Sequence, residues 1–214
     1  MSDRQFDVRR DRIRYELARL DDDQLADDPL DIFASWLEGA AAAGVREPNA
    51  MVLATAGADG APRARTVLMR GYSDGFEFFT NYESTKGRQL DENPRASACF
   101  AWLPIHRQVI VEGLVERLPS EASDAYFASR PAESQIASAT SPQSQVIDGI
   151  DGLLRRVEEL TAANPDGVPR PEHWGGYRLM PQVIEFWQGN VGRVHDRFRF
   201  RRDGEQWVRE RLAP

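Results

Sequence analysis

The sequence predicts a mainly β chain of the α+β class, a small antiparallel barrel with flanking helices. Three observations carry this. Short runs of β-branched and aromatic residues recur between turn signals, with Asp-Gly at 59–60 and 203–204 and Ser-Asp-Gly at 73–75. Helical patterns are inserted among these runs rather than alternating with them one for one. Neither GxGxxG nor GxxxxGK[ST] occurs, so a doubly wound α/β sheet, the next best architecture, lacks its phosphate cradle, and any nucleotide-like cofactor must be held by side chains.

The elements follow in order. Residues 9–20 have sparse apolar positions and read as a weak helix or an arm, and we divide the chain into a flexible arm or lid at 1–27 and a single domain at 28–214. From Asp28 the pattern sharpens. Asp28 caps, Pro29 fits the first turn, and Leu30, Phe33, Leu37, Ala40 and Ala41 form one stripe before Gly44. Strands at 51–56, 62–70 and 76–80 then read as an antiparallel meander. A short helix at 84–90 stops at Asn93-Pro94, and strands return at 96–102 and 108–117. Pro119-Ser120-Glu121 opens a helix to Ser129, and another spans 150–161. Between them, 131–145 is rich in Ser, Ala and Gln without periodicity, an irregular segment of the kind that carries function. Strands at 177–179, 183–187, 196–201 and 207–211 close the chain.

Composition narrows the function. With 214 residues, 41% hydrophobic and 29% charged, the chain can bury a core without disulfide or metal staples. The net charge of −7 argues against nucleic acid as a partner, and no apolar run has the length of a membrane span. The polar N-terminus is unlike a secretory signal, so a cytoplasmic location is expected. Cys99, the single cysteine, sits in a small apolar run and reads as an inert buried thiol. The three histidines are far apart, without HExxH or CxxC, so no metal site is expected. Acidic residues concentrate at 21–28 and basic ones at 193–202, and a local basic site in an acidic chain suits a small anion.

Three groups of residues could serve such an anion. If 193 onward is a strand, Arg193, His195 and Arg197 share one face, with Trp187 nearby as a flat surface; the same spacing describes a solvated edge. Ser84, Thr85 and Lys86 lie at a helix start, where amides and dipole favour phosphate, although a plain capping serine accounts for Ser84 equally. Arg65 and Arg70 differ in strand parity, so either a bulge intervenes or they serve different groups. Finally Tyr126, Arg130 and Ser134 offer a phenol, a guanidinium and a hydroxyl around a helix end, a competent phosphate clamp, while core packing and a helix C-terminal contact explain the first two as well.

Taken in order, these residues and their neighbours resemble the pyridoxine/pyridoxamine 5'-phosphate oxidases. The resemblance runs from about Asp28 to Pro214. It is carried by NAMVLAT at 49–55, RTVL at 65–68, FTN at 79–81, RQV at 107–109, YFASRP at 126–131, QS at 143–144, WGGYR at 174–178, EFWQGNVGRVHDR at 185–197 and the terminal RLAP. It implies an antiparallel split β-barrel of six to eight strands that binds FMN and works as a homodimer with FMN at the subunit interface. Arg65, Thr66, Val67 and Leu68, with Phe79, Thr80 and Lys86, would hold the FMN phosphate and ribityl chain, and Gln143 and Ser144 would reach it across the interface. Gln108, Trp187 and Arg197 would bound the flavin ring. The substrate phosphate would fall to Arg70, Tyr126, Arg130 and Ser134, with Arg193 and His195 against the pyridine ring. Arg12 and Tyr15 would close over it as part of the lid.

The implied reaction oxidises pyridoxamine or pyridoxine 5'-phosphate to pyridoxal 5'-phosphate, with O2 reduced to H2O2. The sequence departs from the family pattern at several points. Arg70 stands for a usual Lys, Thr85 for a basic residue and Phe79 for a frequent Tyr, and residues 136–139 lack a usual Trp. Two other functions therefore stay in view: a split-barrel flavin oxidase of another substrate, such as a phenazine precursor, and a non-catalytic FMN or pyridoxal phosphate binder.

Overall fold

The structure is a computed structural model, which describes residues 19–22 and 25–214. Helix α1 (Pro29–Ala42) begins as expected: the Asp28 carboxylate accepts the Leu30 N–H at 2.8 Å and Pro29 occupies the first turn. Asp28→Ala is expected to lower stability by about 1 kcal/mol, read as a lower urea midpoint at unchanged slope. The buried stripe is rotated from the expected one. Ile32, Phe33, Trp36 and Ala40 are buried, Leu30 and Leu37 only partly, and Ala41 is exposed. Two rings set this orientation. Phe33 meets Phe76 and Phe100 edge-on at centroid distances of 4.9 and 5.0 Å, and Trp36 meets Phe186 at 5.2 Å, so the helix turns to seat its aromatics in the barrel.

The strands are β1 (Ala50–Ala56), β2 (Pro62–Leu68), β3 (Phe76–Asn81), β4 (Arg95–Trp102), β5 (Arg107–Arg117), β6 (Trp174–Gln188), β7 (Asp196–Asp203) and β8 (Gln206–Arg211). They form one antiparallel sheet in the order β2-β1-β4-β5-β6-β7-β8. β3 leaves that path and pairs with the first half of β6, while β7 pairs with its second half. The expected meander therefore ends after β2. A bridge between Gly71 and Glu77 joins the chain beyond β2 to β3 and closes a six-stranded barrel, from which β7 and β8 extend.

β6 is a single strand where two short ones were expected. The gap between the two expected strands is taken up by a bulge in β6, where Gln182 is the extra residue between Pro181 and Val183, opposite Gly113 and Glu112 of β5. Gly113 is needed there, because a Cβ would come 1.8 Å from the Met180 carbonyl oxygen. Alternate residues of the sheet fill the core: Leu53, Ala98, Val111, Ile184 and Phe200 are buried. Their neighbours Val52, Cys99, Ile110, Glu185 and Arg199 occupy the opposite face and are only partly covered or exposed.

The remaining helices are α2 (Thr85–Glu92), α3 (Ser120–Ala128), α4 (Ala132–Thr140) and α5 (Ile150–Ala163). α4 corrects the expectation that 131–145 is irregular. It is nine residues long and buries only Gln135 and Ile136, too few apolar positions to show a period. Leu20 and Leu25, assigned to the arm by a division at Asp28, are buried in the core. The Asp196 carboxylate accepts the Leu20 N–H at 2.9 Å, and Arg211 and Arg209 donate to the Leu20 and Leu25 carbonyls. Among the described residues no helix is long and apolar enough to cross a membrane.

Candidate active site

Where the barrel strands β2 and β3 end, the start of α2 and the α3–α4 corner enclose a cavity of about 720 Å³. Most of the expected site residues meet here. Arg65, Thr66, Val67 and Leu68 come from β2, Phe79 and Thr80 from β3, and Lys86 from the first turn of α2. Tyr126 and Arg130 come from α3 and its end, Ser134 from α4, and Gln143 and Ser144 from the turn after it. Arg70 also lines the cavity. Its parity relative to Arg65 ceases to matter, because β2 ends at Leu68 and the Arg70 N–H already bonds the Glu77 carbonyl of β3.

One end of the cavity is cationic. Ser84 caps α2, accepting the Gly87 N–H at 3.3 Å, and Gly87 lets the turn approach β3, since a Cβ there would lie 1.9 Å from the Tyr82 carbonyl oxygen. Lys86 is thereby buried. Its ammonium donates to Thr80 Oγ1 at 2.8 Å, Gln143 Oε1 at 2.9 Å and Ser84 Oγ at 3.2 Å. Arg65 donates to the Leu53 carbonyl, to Thr55 Oγ1 and to Gln89 Oε1. All these partners are neutral, and among the described residues neither cation has a carboxylate within ion-pair distance. Burial, and then the charge of Arg65, lowers the Lys86 pKa to about 8; burial and Arg63 lower that of Arg65. Two desolvated cations without an anion form a seat for one.

This has a consequence for pH. The ordinary lysine value of 10.5 applies to the unfolded chain, so between about 8 and 10.5 the unfolded state binds more protons than the folded one. The ligand-free protein is therefore expected to gain stability as pH rises through that window. A bound phosphate supplies the missing charge, and the gain should shrink or vanish with it. Urea midpoints at pH 7.5 and 9.5, with and without ligand, check this; an equal or lower midpoint at 9.5 without ligand counts against a depressed Lys86.

The other end is built on aromatic rings. Phe79 stacks on Tyr126 with centroids 3.9 Å apart, and Trp174 continues the stack at 5.6 Å from Phe79. Arg130 lies over the Trp174 ring at 4.8 Å and donates Nη2 to Ser138 Oγ at 3.0 Å. Its Nη1 is buried without a partner. Burial lowers the Arg130 pKa, with Arg70 adding to that direction and Tyr126 opposing it. The Arg130 guanidinium lines the cavity with Tyr126, Ser134 and Arg70, a set suited to the oxygens of a second phosphate.

The other expected residues lie elsewhere on the chain. Gln108, Trp187 and Arg197 stand side by side on β5, β6 and β7 as one cross-strand row on the incompletely covered face of the sheet. Arg197 pairs with Glu185 at 2.8 Å, which raises its pKa. Arg193 and His195 precede β7 rather than belonging to it. Arg193 ends a 3-10 turn (Val191–Arg193) with φ +63°, so strand alternation does not apply to either residue. His195 instead packs against Trp187 at 4.7 Å, and its Nδ1 accepts the Asn190 N–H at 3.1 Å. Gln143, expected to reach across an interface, bonds Lys86 of its own chain. Arg12 and Tyr15 lie outside the described residues.

Three contributors were missed in the sequence. Thr55 and Gln89 brace Arg65, and Ser138 braces Arg130. Ser138 had a legible signal, the i, i+4 spacing from Ser134, which becomes visible once 132–140 is read as helix. Thr55 and Gln89 meet through the pairing of β1 with β2 and the packing of α2 on β1, and no local pattern announces that.

Known proteins share this architecture. A family model described as pyridoxamine 5'-phosphate oxidase matches residues 37–164, and one described as pyridoxine 5'-phosphate oxidase C-terminal dimerisation region matches 174–214. A pyridoxine/pyridoxamine 5'-phosphate oxidase of Salinibacter ruber is 48% identical over 97% of this chain and 98% of its own length. One of Verminephrobacter eiseniae is 51% identical over 95% and 96%. Among solved structures, PhzG of Burkholderia lata, in complex with tetrahydrophenazine-1-carboxylic acid, superposes with a TM-score of 0.87 at 33% identity, covering 90% of this chain and 95% of its own. A pyridoxamine 5'-phosphate oxidase-related FMN-binding protein of Nostoc punctiforme shares the fold, with a TM-score of 0.71 at 17% identity, covering 89% of this chain and 100% of its own. With two family models covering most of the chain and near-full-length relatives at about half identity, this chain belongs to the pyridoxine/pyridoxamine 5'-phosphate oxidase family.

Proposed function

We propose that the chain is an FMN-dependent oxidase that converts pyridoxamine 5'-phosphate, pyridoxine 5'-phosphate or both to pyridoxal 5'-phosphate, a pyridoxal 5'-phosphate synthase. The observation that carries this is one cavity lined by two groups of cations, Lys86 with Arg65 and Arg130 with Arg70. A cofactor phosphate and a substrate phosphate need two such groups. The volume of about 720 Å³ lies within the range of ligand sites, roughly 300–1,000 Å³.

FMN fits the cationic end. Lys86, Arg65 and the Thr80 and Ser144 hydroxyls would hold its phosphate and ribityl chain, with Gln143 yielding its place on Lys86. Bound there, FMN would supply the hydride acceptor, restored by O2 with release of H2O2. Tyr126, Arg130, Ser134 and Arg70 would fix the substrate phosphate and so orient the pyridine ring toward that acceptor. The match to a dimerisation region supports a homodimer. In it the open sheet face would stack on a second copy, whose Gln108, Trp187 and Arg197 would bound the flavin ring at the interface. Arg193 and His195 would follow on the adjoining loop and lie against the pyridine. His195 accepts the Asn190 N–H at Nδ1, which leaves the proton of the neutral ring on Nε2. The N-terminal residues before Leu20, with Arg12 and Tyr15, would act as a lid on a domain that includes Leu20 and Leu25, and a cytoplasmic location accords with the substrates.

The test is peroxide release by the FMN-loaded protein mixed under air with pyridoxamine 5'-phosphate and, separately, pyridoxine 5'-phosphate. Stoichiometric H2O2 and pyridoxal 5'-phosphate from either is the expected result. Bound FMN with no turnover of either would overturn the oxidase in favour of a binder. Turnover of a tetrahydrophenazine carboxylic acid alone would favour a PhzG-like activity, against which the phosphate seat at Arg130 stands.

A further inference from the structure

We infer that Ser138 is a positioning residue for the substrate phosphate, acting through Arg130; this rests on the phosphate clamp proposed above. Arg130 stands one residue before Pro131, the N-cap of α4, and Ser134 and Ser138 are one turn apart on that helix, both lining the cavity. The two hydroxyls do different things. Ser138 Oγ accepts Nη2 of Arg130 at 3.0 Å, and Arg130 Nη1 remains buried and unpaired beside it.

A guanidinium is planar, so holding one nitrogen fixes the direction of the others. The Trp174 ring at 4.8 Å and the Phe127 ring at 5.6 Å support the group but leave it free to rotate in its plane. Ser138 supplies the in-plane restraint. It fixes the plane of the Arg130 guanidinium, which lines the cavity, before the ligand arrives, so that less side-chain freedom is lost on binding. Arg70, also cationic and lining the same cavity, would otherwise repel Arg130 from the shared seat.

The experiment is a double-mutant cycle on the FMN-loaded enzyme with Ser138→Ala, Arg130→Ala and the pair, reading KM and kcat for pyridoxamine 5'-phosphate and FMN affinity. Ser138→Ala is expected to raise KM about tenfold or more, with kcat and FMN affinity within about twofold, as loss of one hydrogen bond to a charged group implies. Ser138→Thr, which keeps the hydroxyl, should restore KM to within about twofold. In the Arg130→Ala background Ser138→Ala should add no further loss. An unchanged KM in Ser138→Ala, or a loss that persists without Arg130, overturns the role of Ser138. If Arg130→Ala itself leaves KM unchanged, the phosphate clamp falls as well, so the two failures are distinguishable.

Discussion

Lys86→Met is expected to weaken FMN binding by about 100-fold or more while changing the stability of the ligand-free protein by no more than about 1 kcal/mol. The substitution removes an ammonium that would give a phosphate two charge-assisted hydrogen bonds, each contributing roughly 1.5–3 kcal/mol. In the ligand-free protein the same ammonium is a burden. It is buried, its bonded partners are neutral, and its pKa has fallen to about 8. Methionine occupies a similar volume without the desolvation cost, and the cavity admits water to Thr80 and Gln143. Flavin fluorescence titration and urea unfolding measure the two effects. Their divergence is the point: a lysine kept for packing would lose stability and leave affinity unchanged. Loss of the pH-dependent stability gain between 8 and 10.5 in this variant would tie the gain to Lys86.

Arg130→Ala is expected to raise KM for the phosphorylated substrate by about 30-fold or more, an effect of about 2 kcal/mol, with FMN affinity unaltered. The separation of the two seats within the cavity is what makes the effects independent: Arg130 packs on Trp174 and Phe127, Lys86 on Thr80 and Gln143. Steady-state kinetics beside an FMN titration check both parts. Equal losses of substrate and FMN binding would mean that Arg130 holds the α3–α4 corner together rather than binding phosphate. The Gln135 bonds to the Ala128 and Arg130 carbonyls, which survive the substitution, argue that the corner persists.

Much of this site was legible before any coordinates. The Asp28 cap, the helix start at Ser84 with Lys86 behind it, and the Tyr126, Arg130, Ser134 group all follow from interactions within a few residues. Such local signals survive folding because capping and short-range spacing are the same in any tertiary context. The ordered motifs carried the family and the split barrel. The departures also took on physical meaning: Phe79, standing for a frequent Tyr, stacks on Tyr126, and residue 138 in the segment lacking the usual Trp supplies the hydroxyl that holds Arg130.

What the amino-acid pattern determined by itself, then, was the set of elements, the chemistry at each end of the cavity and the family. Tertiary structure alone decided which residues share a space. β3 leaves β2 for β6, a strand far along the chain that no local cue announces, because pairing with β6 closes the barrel. Parity failed for Arg70 and for Arg193 and His195, since each lies beyond the strand whose alternation was invoked. Gln143 bonds Lys86 of its own chain, while Gln108, Trp187 and Arg197 form a separate row on the open face. The physical reason is common to all of these: periodicity reports which way a side chain points within one element, whereas strand partners and strand ends are set by closure of the sheet and packing of its core.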